Sequence, residues 1–135
     1  MKFAVRYYTQ TGNTKKLAEA VAAELGVEAM PVDIALEEET DILFLCNSVY
    51  AAGMDKKVKQ FVKNNAKLIG TLVNVSSAAL LESTYKQMKN VAAEAGVKLS
   101  DREFHCRGRF AVLHAGHPDE KDLEAVKTFA RSFAG

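Results

Sequence analysis

A chain of 135 residues with 48% hydrophobic content is long enough to bury a core without disulfides or a structural metal, and its length fits one domain. Eighteen basic against seventeen acidic residues leave a net charge of +1, which sets aside a nucleic-acid binder driven by phosphate attraction and a disordered acidic tail. Cys46 and Cys106 stand far apart and neither belongs to a CxxC pair, so zinc and dithiol redox chemistry lack support, and two reduced thiols fit a reducing compartment.

The opening "MKFAVRYY" enters a strand pattern directly, without the apolar core of a signal peptide. No apolar run reaches the roughly 20 residues that span a bilayer. The expectation is a cytoplasmic protein with no membrane insertion. From there, short apolar runs alternate with segments of helical period, the signature of βα units. "FAVRYY" is the first strand, and a helix over 13–25 follows, with Leu17, Val21 and Leu25 on one face and Gly26 as its stop. "VEAMPV" is a second strand, placed at an edge by Pro31, which cannot donate to a ladder. "DILFLC" is a third and central one. The link between them, "DIALEEET", has room for one or two helical turns, so the second crossover helix is short or missing. A helix near 55–66 puts Val58, Phe61 and Val62 on one face and carries Lys56, Lys57, Lys59 and Lys63, with Lys67 just beyond; such a lysine face is ordinarily a solvated surface. "LIGTLVNVS" is a fourth strand, a helix over 83–95 ends at Gly96, and "REFHC" is a fifth strand. The last helix opens on "HPDEKDLE", with acids in its first turn and Lys127 and Arg131 toward its end, as the helix dipole favours.

The junction after the first strand, "TQTGNT", crowds hydroxyls and an amide at a helix start and holds no lysine. A helix N-terminus leaves about four N–H groups unpaired and carries roughly half a positive charge, so an anion there needs no side-chain cation. Gly12 allows a tight turn, and Thr9, Thr11, Thr14 and Asn13 supply neutral donors. The triphosphate loop GxxxxGK[ST] fails for want of a lysine after Gly12, and the dinucleotide loop GxGxxG fails for want of glycines. A compact monophosphate site remains; a simple helix cap would account for one of these polar residues and not the rest.

These residues carry a resemblance to the flavodoxins, whose phosphate loop reads T-x-T-G-x-T, and the order of strands and helices over essentially the whole chain is similar to the short-chain form, with no extra segment interrupting the fifth strand. The resemblance implies an α/β three-layer sandwich with a five-stranded parallel sheet in the order 2-1-3-4-5, the arrangement for which flavodoxin itself is the standard example, with FMN at the switch point between strands 1 and 3. It implies that Thr9, Gln10, Thr11, Gly12, Asn13 and Thr14 hold the FMN phosphate. It also implies that the loop after the third strand, "NSVYAAGM", lies against the flavin, bringing in Ser48, Val49, Tyr50, Ala51, Ala52 and Gly53. Tyr50 is the aromatic available for stacking on the isoalloxazine. A backbone carbonyl among Ala51, Ala52 and Gly53 would accept a hydrogen bond from the protonated flavin N5. Tryptophan, common in this loop, is absent from the chain, which bears on stacking and on the redox potentials. Ser76, Ser77 and Ala78 occupy the place of the third flavin-contacting loop.

In the implied sheet order one strand separates Cys46 from Cys106, about 9 to 10 Å, beyond the limit of about 7 Å for a disulfide, so both are expected to be buried thiols. His114 and His117 read as loop and cap residues, and nothing beside His105 suggests a triad. Arg107 and Arg109 flank Gly108 after the fifth strand, as a solvated turn or as a contact for an acidic partner or a nicotinamide phosphate.

The family reading implies a one-electron carrier that shuttles electrons between redox partner proteins, as a monomer. Two alternatives stay open: an FMN-dependent NAD(P)H or quinone reductase, and a flavodoxin-like interaction module without flavin. Many carriers of this kind are strongly acidic, and this chain is near neutral.

Overall fold

The structure is a computed structural model that describes residues 1–8, 12–50, 53–77, 84–106 and 119–134. In chain order its elements are β1 (Phe3–Tyr7), α1 (Asn13–Leu25), β2 (Ala29–Pro31), β3 (Thr40–Tyr50), β4 (Gly53–Met54), α2 (Lys56–Asn65), a single 3-10 turn (Ala66–Leu68), β5 (Ile69–Ser77), α3 (Tyr85–Ala95), β6 (Lys98–Leu99), β7 (Phe104–Cys106) and α4 (Glu120–Ala134). The sheet runs β2-β1-β3-β5, with β6 and β7 lying one after the other along the far edge of β5, and every pairing is parallel except the β3–β4 hairpin. With the hairpin set aside and β6 and β7 taken as one edge, this is the expected order 2-1-3-4-5.

Side-chain alternation along the strands builds two apolar layers. On one face Leu17, Ala18 and Val21 of α1 and Val126 and Ala130 of α4 cover Val5, Phe44, Val73 and Val75. Phe44 is fully buried, with edge-on contacts to Phe133 at 5.4 Å and Phe129 at 6.4 Å between ring centroids. On the other face Val58, Phe61 and Val62 of α2 and Met88, Val91 and Ala92 of α3 cover Leu43, Leu45 and Leu72. α4 starts on a reciprocal cap: Asp119 N–H donates to Asp122 Oδ2 at 2.9 Å, and Asp122 N–H donates to Asp119 Oδ1 at 3.0 Å.

β2 is the edge strand that Pro31 announced, and residues 32–39 form no helix, the missing crossover that the short link implied. Arg6 compensates. The residue is 6% exposed, and its guanidinium donates to the carbonyls of Ile34 (2.8 Å) and Ala35 (3.2 Å), acceptors that the non-helical segment leaves open, and to Val5 O in its own strand (3.1 Å). Burial lowers the Arg6 pKa, an effect that Glu37 and Glu28 oppose. The segment is tied to α2 as well, by Leu36 N–H on Asn65 Oδ1 at 3.0 Å.

Two elements differ from the sequence-based expectation. The third strand does not stop at Cys46 but continues to Tyr50, because β5 pairs Asn47 with Ser76 and Ser48 with Ser77, and the antiparallel partner β4 then pairs Val49 with Met54 and Tyr50 with Gly53. What reads as a loop is therefore largely a hairpin. The expected fifth strand, "REFHC", is β7, which starts at Phe104, and an unexpected short strand, β6, precedes it on the same edge: Ser100 N–H still bonds Leu72 O at 2.8 Å, but the Ser100 hydroxyl accepts from Arg102 N–H at 3.1 Å, a local turn that competes with the ladder until Phe104.

Candidate functional site

The carboxyl ends of β1, β3 and β5 meet the N-terminus of α1 where the chain order reverses, since β2 lies to one side of β1 and all later strands to the other. α1 begins immediately after Gly12, whose φ of 88° and ψ of −10° are left-handed. A Cβ there would meet nothing within 4 Å, so the demand for glycine is conformational and not steric. No acid lies in the first turn of α1, so no carboxylate of its own opposes its positive end.

Hydroxyls cluster at that end. Thr14 is 1% exposed, and its Oγ1 lies 3.2 Å from Ser77 Oγ. Ser48 is the in-register partner of Ser77 in the neighbouring strand, so by alternation both face α1. Ser48 is buried, and its Oγ has no hydrogen-bond partner among the described residues. An orphaned buried hydroxyl costs about 1–3 kcal/mol. It is tolerated where a ligand completes it. A helix N-terminus and three neutral hydroxyls, one of them unsatisfied, suit a phosphate monoester.

The opposite face of the same strand ends holds a buried polar network. Asn47 Nδ2 donates to Asn74 Oδ1 (2.8 Å) and to the carbonyls of Leu45 (2.9 Å) and Val75 (3.3 Å). Thr84 Oγ1 donates to Asn47 Oδ1 (2.6 Å) and accepts from Asn74 Nδ2 (3.0 Å). All three side chains are fully buried. Thr84 stands at the N-cap of α3 yet makes no side-chain cap bond, because its hydroxyl is committed to the asparagines. The network thus anchors Thr84, at the start of α3, to β3 and β5. Of the two predicted serines, Ser77 faces α1, whereas Ser76 Oγ faces the other side, 3.2 Å from His105 Nδ1 and 3.4 Å from Thr84 N–H.

Among the other sequence-predicted residues, Asn13 is buried at the start of α1, and Val49, Tyr50 and Gly53 lie in the β3–β4 hairpin. Thr9, Gln10, Thr11, Ala51, Ala52 and Ala78 lie outside the described residues, as do Arg107, Arg109, His114 and His117. Asn47, Asn74 and Thr84 escaped the sequence reading. Their signal was an asparagine closing one apolar strand run and another interrupting the next.

Cys46 and Cys106 are free and buried, with β5 between them: Cys46 is in register with Val75 and Cys106 with Ser77. Burial pushes the Cys46 thiol far up, with Cys106 adding to the effect. The Cys106 thiol is pushed up to about 12, first by burial and then by Asp122 and Asp119. Both stay protonated at neutral pH, so neither is a ready nucleophile or metal ligand. Among the described residues no cluster of His, Cys, Asp and Glu could hold a metal, and no helix is long and apolar enough to cross a membrane.

A doubly wound parallel sheet with an acid-free helix N-terminus and gathered hydroxyls at its switch point defines an open α/β protein whose carboxyl strand edge could hold an anion. The chain belongs to the flavodoxin domain family, whose model matches residues 4–128. It is 25% identical to an uncharacterised protein of Methanocaldococcus jannaschii over 89% of each chain. It is also similar in structure to oxidised flavodoxin 1 of Bacillus cereus, with a TM-score of 0.74 at 16% identity over 99% of this chain and 97% of that one. A flavodoxin from the domain Archaea gives 0.75 at 19% identity over 99% and 96%. At such identities the structural likeness establishes the fold.

Proposed function

We propose that this protein binds FMN noncovalently and carries electrons between redox partner proteins. The observation that carries the reading is the convergence of Thr14, Ser77 and the unsatisfied Ser48 hydroxyl at the acid-free N-terminus of α1. Bound there, FMN would supply the electron-transfer chemistry. The chain's own contribution is to bind, orient and shield. Thr9, Gln10, Thr11, Gly12, Asn13 and Thr14 would hold the phosphate by backbone N–H groups and hydroxyls, with Ser48 and Ser77 closing the cradle. The β3–β4 hairpin bearing Tyr50 and Gly53 would lie against the ring system, where an aromatic side chain would exclude water and a backbone carbonyl could accept a hydrogen bond from a protonated ring nitrogen. The asparagine–threonine network behind the strand ends would keep β3, β5 and the start of α3 in fixed relation.

The test is anaerobic stepwise reduction of FMN-reconstituted protein followed by visible absorbance. Two resolved one-electron steps support a carrier. A single two-electron step together with rapid NAD(P)H oxidation in the presence of a quinone would replace the carrier by a reductase. Failure to bind FMN would remove the reading altogether.

A further inference from the structure

The near-zero net charge hides a segregation between the two helical layers. α1 and α4 are balanced: Lys15, Lys16, Lys121, Lys127 and Arg131 stand against Glu19, Glu24, Glu120, Asp122 and Glu124. The opposite layer is not. α2, the 3-10 turn and α3 together carry Lys56, Lys57, Lys59, Lys63, Lys67, Lys86 and Lys89 against a single carboxylate, Glu94. All seven lysines are exposed. Lys57, 3.7 Å from Asp33, is the one of the seven with a carboxylate in ion-pair range among the described residues.

Helix geometry arranges these charges. Lys59, Lys63 and Lys67 follow one another at i, i+4 and i+8, with Lys56 one turn before, a stripe of about 16 Å. α3 lies beside α2 on the same sheet face and adds Lys86 and Lys89. The stripe exceeds the Debye length of ~8 Å at physiological ionic strength, so a partner is felt by several charges together only on close approach. The stripe also begins at the proposed flavin site. α2 starts two residues after the β3–β4 hairpin, and Lys57 Nζ lies 6.0 Å from the centroid of the Tyr8 ring, the residue that precedes Thr9.

We infer that the α2–α3 face is the docking surface for an acidic protein partner, with the N-terminal end of α2 directing that partner toward the carboxyl edge of the sheet. The layer contains no arginine. Lysine ammonium groups are hydrated point charges that favour rapid, salt-sensitive encounter with carboxylates, whereas bidentate phosphate recognition on nucleic acid favours arginine. The apolar sides of both helices are spent in the core through Val58, Phe61, Val62, Met88 and Val91, so the face has no wedge to insert into a bilayer. The direction toward the strand ends rests on the proposed cofactor site; the acidic partner rests on the lysines.

The experiment is an NMR titration of the isotope-labelled FMN-loaded protein with poly-L-glutamate, with duplex DNA and phosphatidylserine vesicles as parallel probes. Shifts confined to α2 and α3 are expected, with affinity falling at least ~10-fold as ionic strength rises from about 0.01 to 0.15 M. The triple variant Lys59→Glu, Lys63→Glu, Lys67→Glu should lose the footprint while still taking up FMN, and Lys59→Gln, Lys63→Gln, Lys67→Gln should weaken it less. Tighter binding of DNA or vesicles than of polyglutamate at the higher salt would overturn the assignment, as would a footprint on α1 and α4 or salt-dependent self-association of the protein alone. FMN uptake is read separately by quenching of flavin fluorescence. A wild-type protein that takes up no FMN refutes the carrier, whereas one that takes up FMN and shows no footprint refutes the surface.

Discussion

Replacing Thr84 by valine keeps the side-chain shape and removes one hydroxyl from a fully buried network. Asn47 Oδ1 then loses its 2.6 Å donor and Asn74 Nδ2 its 3.0 Å acceptor. Each orphaned group costs about 1–3 kcal/mol, and the extra buried methyl returns about 0.8 kcal/mol. The expected net loss is about 1–5 kcal/mol, a large share of the ~5–15 kcal/mol typical of a folded protein. With a urea slope of about 2 kcal/mol per molar, the unfolding midpoint should fall by about 0.5–2.5 M, read by far-UV circular dichroism. A cycle with Asn47→Leu sharpens the test, because the double variant no longer strands the Asn47 carbonyl and should lose about 1–2 kcal/mol less than the sum of the single losses. A midpoint within about 0.25 M of wild type, or about 0.5 kcal/mol at that slope and the range of an ordinary surface change, would refute the network as drawn, and so would strict additivity.

Ser48→Ala removes an unsatisfied buried hydroxyl, so the FMN-free protein should be as stable as wild type or up to about 1 kcal/mol more stable, while FMN affinity falls roughly tenfold; a parallel loss of both would mean that Ser48 serves the fold instead. Arg6→Met strips three carbonyls of their donor and should cost about 1–3 kcal/mol, with faster amide hydrogen exchange concentrated in residues 32–39; unchanged exchange there would show that another group holds the segment. For the thiols, burial raises the folded-state pKa above the ordinary value of 9.0, so the unfolded chain releases its protons first. Their contribution is fully present below pH 9 and is lost as pH rises toward the folded values, about 12 for Cys106, with a slope of up to ~1.4 kcal/mol per pH unit for each thiol. Urea midpoints measured against pH check this: Cys106→Ala should flatten the alkaline decline, and an equal decline in that variant would contradict the assignment.

The sequence by itself determined the elements whose causes are local. α1 spans Asn13–Leu25 as its period and Gly26 required, Pro31 marks the edge strand, and eight residues between β2 and β3 leave out a crossover helix. The turn at Gly12 and the helix start at Asn13 were legible for the same reason, since turn and helix start are neighbours along the chain. Register and distant partners were not local and came only with the tertiary structure. Ser76 and Ser77 are equivalent on paper, yet alternation sends one toward His105 and the other toward Thr14. Asn47, Asn74 and Thr84 meet across separations of 27, 10 and 37 positions. The partners of Arg6 lie 28 and 29 residues on, and β3 runs to Tyr50 because β4 folds back on it. A charge count near zero gave no hint of its division, because it is the packing of α2 beside α3 and of α1 beside α4 that puts the lysines on one side of the sheet and a balanced set on the other.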